Sequence, residues 1–334
     1  MADMEQVRIG TLGAARITPA ALVKPARAVP EAVVSAVAAR DPARAKAFAA
    51  KHGIGTVHLS YDDLLADPSI DAIYNPLPNG LHAAWTLKAL AAGKHVLCEK
   101  PFTANASEAE GVEAAAQQSG LVVMEAFHYR YHPLAARLRA IIDSGQLGTV
   151  SHVETWNCFP LPLLKDIRWQ LDLAGGSTMD AGCYAVHCLR LLGNGEPAVV
   201  DARAKLLRPE IDRWMTASFR FPDGSTGRIT TSMLSARVVG IGARVVGDRG
   251  QMKVFNFVAP QYFNRLTVRT DAGPTTRERV RGEPTYNYQL RAFCAAVQRG
   301  EPTLTPPADS VRTMRIIDDI YRAAGLAVRG GVNG

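Results

Sequence analysis

Gly10-Thr-Leu-Gly-Ala-Ala-Arg-Ile17, which overlaps the end of the apolar run Val7–Leu12, is the stretch that decides the fold. A strand that turns directly into a helix points backbone N–H groups at one place, and the helix dipole adds partial positive charge there. Small residues let a pyrophosphate come close to such a turn. The spacing is Gly-x-x-Gly-x-Ala, which alone is a weak signal because many strand–helix turns contain two glycines. Its place at the first strand of an alternating pattern makes it predict a dinucleotide site.

Short apolar runs alternate with helical patterns as far as residue 125. The predicted strands are Val7–Leu12, Val33–Ala38, Asp71–Tyr74, Lys94–Cys98 and Leu121–Glu125. The predicted helices are Ala43–Lys51, Tyr61–Ala66, Leu81–Ala92 and Ser107–Ser119, the last with Ser107 as N-cap and Glu110 three residues on. Uniformly apolar strands that alternate with helices indicate a parallel sheet covered on both faces. We therefore predict an α/β Rossmann domain over residues 1–125.

Beyond residue 125 the pattern changes to longer strands separated by turns. After a helix near Pro133–Ser144, the predicted strands are Thr149–Asn157, Val199–Leu207, Trp214–Phe221, Thr226–Met233, Ala243–Val246, Gln251–Phe257 and Arg265–Thr270. Strands joined by tight turns favour an antiparallel arrangement. We predict an α+β domain over residues 126–334 with a large open, mostly antiparallel sheet. Helices at Ala181–Leu192, Tyr286–Arg299 and Asp309–Ala324 would cover one face and leave the other for a second subunit.

The composition excludes several classes of protein. The 334 residues have a net charge of +7, but the basic residues are spread along the chain without interleaved aromatics, which argues against a nucleic-acid site. No apolar run reaches the ~20 residues of a membrane helix, and residues 1–5 do not begin a secretory signal. The five scattered cysteines fit free thiols in a reducing compartment. We expect a soluble cytoplasmic protein that binds neither nucleic acid nor membrane.

The second predicted strand ends where the adenosine ribose of a dinucleotide should lie. Arg40 comes first there and Asp41 second. An arginine pairs with a 2′-phosphate, whereas an acidic residue accepts hydrogen bonds from a 2′-hydroxyl. Because the arginine precedes the aspartate, we expect NADP to be preferred over NAD, and we expect Asp41 to cap the next helix. The alternative is that Arg40 is only a surface arginine.

Polar residues also follow the third and fourth predicted strands. Lys100 comes just after an apolar strand, so its ammonium group should emerge at the carboxyl edge of the sheet, where open α/β sheets bind ligands. A partly desolvated lysine has a lowered pKa and can help to move a proton. A lysine that merely ends a strand is the alternative.

Three motifs occur in a characteristic order: Asn75-Pro-Leu-Pro-Asn79 with His82, Glu99-Lys-Pro101, and Glu125-Ala-Phe-His-Tyr-Arg-Tyr-His-Pro133. With Gly175-Gly-Ser-Thr-Met-Asp-Ala-Gly-Cys-Tyr-Ala-Val-His187, they resemble the glucose–fructose oxidoreductase / inositol dehydrogenase (Gfo/Idh/MocA) family. The last motif is similar to that of the branch with D-xylose dehydrogenase and dimeric dihydrodiol dehydrogenase. The resemblance implies a hydride transfer between a nicotinamide cofactor and a sugar or cyclic diol, and a homodimer or dimer of dimers. It also implies a cis peptide at Lys100–Pro101.

The resemblance also implies roles for particular residues. Tyr184 stands where the wider family has a histidine, so it should be the acid/base, with Asp180 four residues before it and Lys100 favouring the tyrosinate. The turn and the resemblance together predict that the cofactor contacts Gly10, Gly13, Ala15, Arg16, Ile17, Arg40, Pro76, Leu77, Asn79, His82, Glu99, Lys100, Pro101 and Trp169. The predicted substrate contacts are Tyr129, Phe159, Arg168, Trp169 and His187, and His187 is equally compatible with packing between the domains.

Some residues depart from the family pattern. Ala39 stands where NADP-preferring relatives often have serine, and His128 replaces a residue that is usually apolar. His128 and His132 have the spacing of a metal pair, but Pro133 disfavours helix at His132, so we predict no metal site. Two other functions stay open: a glycosidase that uses bound NAD without net redox, and a cofactor-binding regulator without catalysis.

Overall fold

A computed structural model describes residues 6–236 and 240–330 of the chain. Residues 1–5, on which the expectation about a secretory signal rests, lie outside the described residues. The described chain forms two compact units, the first with residues 6–128 and 286–311 and the second with 129–236, 240–285 and 312–330. Each unit has a sheet of its own.

The first unit contains a six-stranded sheet in the order β3-β2-β1-β4-β5-β6. Its strands, all paired in parallel, are β1 (Val7–Leu12), β2 (Ala32–Ala38), β3 (Thr56–His58), β4 (Ala72–Asn75), β5 (His95–Cys98) and β6 (Val123–Glu125). The helices between them are α1 (Lys24–Ala28), α2 (Pro42–His52), α3 (Tyr61–Ala66), α4 (His82–Ala91) and α5 (Ala106–Ser119). The strand order reverses direction between β1 and β4, which is where open α/β sheets bind ligands. The predicted Rossmann fold is confirmed.

Two details of the first unit differ from the prediction. β3 was not predicted, because three residues are too few for an apolar period to show. The N-cap of α5 is Asn105 rather than Ser107: the Asn105 side chain accepts a hydrogen bond from the Glu108 N–H at 2.9 Å. Glu108 reaches back to the Ala104 N–H at 3.1 Å. The capping pair therefore lies two residues earlier than predicted.

The second unit contains an eight-stranded sheet in the order β14-β13-β12-β11-β7-β10-β9-β8. Its strands are β7 (Val150–Cys158), β8 (Ala198–Arg208), β9 (Ile211–Arg220), β10 (Thr226–Ser232), β11 (Gly240–Gly247), β12 (Gly250–Phe255), β13 (Arg265–Thr270) and β14 (Gly273–Glu278). Among these described strands, neighbours are antiparallel except β7 and β10. The predicted open, mostly antiparallel sheet is confirmed, with β14 as an unpredicted edge strand.

The remaining helices are α6 (Pro133–Asp143), α7 (Cys183–Leu192), α8 (Thr285–Arg299) and α9 (Pro307–Ala323). α7 packs on the sheet, and inward-facing side chains of β7 bond its backbone and that of the turn before it. The Thr155 hydroxyl donates to the Ala185 carbonyl of α7 at 2.8 Å, and the Asn157 amide donates to the Ala181 carbonyl of the preceding turn at 3.0 Å. α8 groups with the first unit, and the expectation that it covers this sheet stays a prediction. Amphipathic periodicity shows that a helix buries one face but not against which sheet. Among the described residues, no helix is long and apolar enough to cross a bilayer.

Candidate functional site

The glycine turn after β1 has the geometry that a phosphate cradle needs. Gly13 has φ +83°, in the left-handed region, and its N–H donates to the Ala38 carbonyl at 2.6 Å. A Cβ atom at Gly10 would lie 2.7 Å from Leu64 Cδ2, so a larger residue there would require the buried Leu64 side chain to shift. Beyond the turn Ala15 is half-buried and Arg16 exposed, with Ile17 also exposed. The turn therefore fits the pyrophosphate of a dinucleotide, with small residues on the inside and a cation beside it.

The end of β2 presents two arginines. Arg40 is exposed at the strand end, and the Arg44 guanidinium donates to the Ala14 carbonyl at 2.9 Å. Asp41 caps α2, as predicted, by accepting from the Ala43 N–H at 2.9 Å. Burial raises the pKa of Tyr61, and the positive charges of Arg40 and Arg44 oppose that rise. Arg40 and Arg44 are therefore both close to the Tyr61 phenol. Arg44 lies four residues after Arg40, in the first turn of α2, and this spacing is the sequence signal that could have identified it.

His82 holds together the two loops that follow β4 and β5. Its Nδ1 lies 2.7 Å from the Pro101 carbonyl oxygen and its Nε2 lies 2.7 Å from the Leu77 carbonyl oxygen. Complete burial and then the Lys100 charge lower its pKa to about 4, against the effect of the two carbonyls. The neutral ring has one N–H and donates it to one of these carbonyls. We interpret His82 as support for the cofactor loop, because both of its ring nitrogens already face the backbone.

Lys100 follows β5 and is half-buried. The Lys100–Pro101 peptide is cis, which confirms what the resemblance implied. The preceding Glu99 is buried. Its carboxylate accepts hydrogen bonds from the Tyr74 hydroxyl at 2.8 Å and from the Lys100 N–H at 3.3 Å. In the neighbouring loop Pro76 and Leu77 are buried and Asn79 half-buried. The backbone that carries Lys100 is therefore fixed on both sides of the residue.

His128 lies in the interior of the first unit. It is buried, and its ring stacks 4.2 Å from that of Tyr286. Burial, and then the charge of Lys100, lower its pKa to about 3. In the second unit His132 caps α6 by accepting from the Leu134 N–H at 3.1 Å. Over the described ranges, no group of three His, Cys, Asp or Glu residues is placed to hold a metal ion.

Tyr184 lies in the first turn of α7 and is only 7% exposed. The ring of Tyr129 lies 6.0 Å from that of Tyr184, and the Tyr129 hydroxyl lies 2.6 Å from Nδ1 of His187. Phe257 packs edge-on against Tyr129 at 5.2 Å. The second unit therefore brings Tyr184 together with two predicted substrate residues, in a buried aromatic cluster with its own hydrogen bond.

Asp180 lies one turn before Tyr184, in a π-helical turn (Thr178–Gly182) that runs into α7 without a break. Its carboxylate accepts from Arg168 Nε at 3.2 Å. The same guanidinium bonds Asp166, whose side chain also accepts from the Arg168 N–H at 3.0 Å. Arg168 is thus held between two carboxylates. The sequence analysis indicated Asp180 as a site residue but not Asp166.

Trp169 and Phe159 lie in a hydrophobic cluster of the second unit. Trp169 is 1% exposed and packs with Ala181, Ile211 and Met233, and Phe159 is half-buried against the same group. The indole nitrogen of Trp169 is buried without a hydrogen-bond partner among the described residues. Trp169 is therefore part of the core beneath α7, and its predicted contact with cofactor or substrate stays a prediction.

Comparison with known proteins identifies the family to which both parts of the chain are similar. A model described as an oxidoreductase family with an NAD-binding Rossmann fold matches residues 7–127, and a model of the GFO/IDH/MocA C-terminal domain matches residues 135–253. A D-xylose 1-dehydrogenase (NADP⁺) from Haloferax volcanii is 40% identical over 96% of this chain and 98% of its own length. A trans-1,2-dihydrobenzene-1,2-diol dehydrogenase from Sus scrofa is 34% identical over 60% of each chain. The crystal structure of KijD10, a 3-ketoreductase from Actinomadura kijaniata in complex with NADP and TDP-benzene, has a TM-score of 0.88 at 28% identity, over 96% of this chain and 98% of that one.

Proposed function

Because the chain belongs to the GFO/IDH/MocA oxidoreductase family, we propose that it is an NADP-dependent dehydrogenase that oxidises a hydroxyl group of an aldose. Lys100 and Tyr184 are the proton-transfer residues of this proposal. The observation that supports it most is the position of Tyr184, at the start of α7 beside the hydrogen-bonded Tyr129 and His187. The similarity to a D-xylose dehydrogenase along nearly the whole of both chains supports an aldopentose as the first substrate to test.

The proposed reaction removes a proton and a hydride from one H–C–O–H group. The nicotinamide of NADP⁺ supplies the hydride acceptor when it is bound. In this proposal Tyr184 takes the hydroxyl proton at its phenolic oxygen, and Lys100 has the role that the family resemblance implies, in which a positive charge favours the tyrosinate that accepts the proton. At an anomeric carbon the product is a lactone. Arg168, held by Asp166 and Asp180, offers a fixed cation for the sugar hydroxyls.

The preference for NADP follows from Arg40. Its guanidinium is exposed at the end of β2, where a 2′-phosphate group would lie, and Arg44 adds a second positive charge to the same region. Phosphate and guanidinium form strong charge-assisted hydrogen bonds. Two of the similar proteins are named or solved with NADP, which agrees with this preference.

The eight-stranded sheet supports the proposal of a homodimer or dimer of dimers. α7 covers one face, whereas the other presents the half-buried Trp156, with Lys253 Nζ 5.9 Å from its ring. At the β8 edge Val200 is 63% exposed. A symmetric copy would remove these apolar surfaces from water.

Tyr184→Phe tests the proposed function, with D-xylose and other aldoses as substrates and NADPH formation as the signal. Turnover should fall by about 10²–10⁴-fold, the usual effect of losing a positioned proton-transfer group. Lys100→Met should lose turnover as well, and the double variant should lose less than the product of both effects. Tyr262→Phe, at a tyrosine that is 79% exposed, is the matched control. Near-normal turnover in Tyr184→Phe would refute the assignment, and glycoside cleavage without NADPH formation would favour the glycosidase function.

A further inference from the structure

The turn that leads into α7 is held by a buried ion pair from two distant parts of the chain. Asp212 lies on β9 and Arg329 lies beyond α9, and both side chains have no exposed surface. Arg329 Nη2 donates to Asp212 Oδ1 at 3.2 Å, and Arg329 Nε donates to the Gly175 carbonyl at 3.0 Å. The other donors of the guanidinium bond the carbonyls of Glu210 and Ala327. A fully buried charge pair is stable only when such additional hydrogen bonds are present.

The other carboxylate oxygen of Asp212 caps the helix. Asp212 Oδ2 accepts from both the N–H and the hydroxyl of Thr178, each at 2.7 Å. Thr178 begins the π-helical turn that continues into α7, so the carboxylate satisfies an N–H that has no partner within the helix. The anion also lies at the positive end of the helix dipole. This cap comes from another strand rather than from the residue before the helix.

Gly176 is shaped to let Asp212 approach. Its φ is +126°, and a Cβ atom there would lie 2.2 Å from Asp212 Oδ1. The Tyr321 hydroxyl also donates to Asp212 Oδ1, at 3.1 Å. Burial raises the pKa of Asp212, whereas Thr178, Arg329 and Tyr321 oppose that rise. The glycine, the tyrosine and the ion pair together fix the position of one carboxylate.

The helix start is connected to the proposed catalytic residue. The Asp180 N–H donates to the Gly176 carbonyl at 3.1 Å, and Gly182 keeps helical angles, φ −69° and ψ −32°, up to Cys183. A displacement of the Thr178 turn is therefore passed along a continuous helix to Tyr184. Misplacing a reacting group by about 1 Å can cost ~10²-fold in rate.

We propose that the buried Asp212–Arg329 pair is a positioning device, by which the C-terminal segment fixes the Thr178 turn and so aims Tyr184 at the substrate hydroxyl. This inference rests on the proposed function only through the role of Tyr184. Asp212 and Arg329 touch neither substrate nor cofactor in this proposal, and they act through the backbone of the helix start.

Arg329→Lys is the central test, because lysine keeps the charge but loses the planar fork that bonds Gly175 and Asp212 together. Amide hydrogen exchange of residues 178–184 should become at least 10-fold faster, and kcat for aldose oxidation should fall by about 10- to 100-fold. The dissociation constant for NADP should stay within about twofold, since the glycine turn and Arg40 belong to the first unit. Arg322→Lys, an exposed arginine paired with Asp319, is the matched control and should change none of these values.

Thr178→Val gives a second, milder variant that removes the hydroxyl bond to Asp212 and keeps the backbone N–H bond, in case Arg329→Lys does not fold. It should lower kcat in the same way. When Thr178→Val is combined with Tyr184→Phe, it should cause no further loss of kcat, because the phenol whose position it changes is absent. A lower melting temperature with unchanged kcat and unchanged exchange at 178–184 would overturn the inference. If Tyr184→Phe keeps its turnover, the proposed function fails, whereas the exchange measurement still tests the pair.

Discussion

Arg40→Ala is expected to change the cofactor preference without harming the fold. Arg40 is exposed at the end of β2, so the substitution removes no packing. A charge-assisted hydrogen bond contributes about 1.5–3 kcal/mol. Because solvent screens an exposed pair, we expect a loss near the lower end, about 1–2 kcal/mol for NADP, which corresponds to a ~5- to 30-fold weaker dissociation constant. The NAD constant should hardly change, since NAD has no 2′-phosphate.

Titration calorimetry with both cofactors measures this difference directly. Lys46→Ala is the matched control, because Lys46 is an exposed cation on α2, the helix that follows Arg40. Arg44→Ala should weaken NADP and, to a smaller extent, NAD, because Arg44 also bonds the Ala14 carbonyl of the glycine turn. Equal losses for NADP and NAD in Arg40→Ala, or an equal effect of Lys46→Ala, would refute the reasoning.

Three further predictions concern stability and assembly. His128 has a pKa of about 3 in the folded chain against 6.5 for an ordinary histidine, so the unfolded state takes up a proton first as the pH falls below 6.5. For each pH unit of acidification below 6.5, this residue should therefore lower the free energy of unfolding by about 1.4 kcal/mol. The free energy of unfolding of His128→Phe, measured in urea between pH 6 and 4.5, should depend less steeply on pH than that of the unchanged protein. Gly176→Ala should lose about 2–4 kcal/mol, since its Cβ would meet Asp212 Oδ1 at 2.2 Å, whereas Gly273→Ala, with no atom within 4 Å, should unfold like the unchanged protein. Sedimentation at micromolar concentration should give a dimer or larger, and a monomer would contradict the proposed assembly.

The sequence predicted those parts of the fold that depend on local patterns. The strands around the glycine turn and the long strands of the second sheet follow from apolar period and turn residues, and both sheets are confirmed. The family resemblance, which rested on motifs such as Glu99-Lys-Pro101, is confirmed as well. Short elements such as β3 gave no signal, and the cap of α5 was misplaced because Asn105 and Ser107 are both good capping residues.

The candidate site was predictable only where a residue type itself suggests chemistry. Lys100 and Arg168 were predicted in this way, whereas the role of Tyr184 was implied by the family resemblance, and all three roles stay predictions. Asp212 and Arg329 were not, because an aspartate in a strand and an arginine near the end of a chain are usually solvated, and only the fold shows that both are buried. Trp169 is a different case: the structure buries it in a core cluster, and the ligand contact that the sequence suggested for it stays a prediction.

The return of residues 286–311 to the first unit sets an order for biosynthesis. The end of β6 is hydrogen-bonded to a residue 180 positions further along the chain. The Glu125 N–H donates to the Thr305 carbonyl at 3.0 Å, and the Thr305 hydroxyl donates to the Glu125 carbonyl. A nascent chain that has left the ribosome only as far as residue 128 contains every strand of the first sheet but lacks this segment. The second sheet is therefore synthesised before the first unit can close. An N-terminal fragment that ends at residue 128 should accordingly fold poorly and be unsuitable for isolated cofactor-binding studies. A fragment in which residues 286–311 are joined to it should fold better.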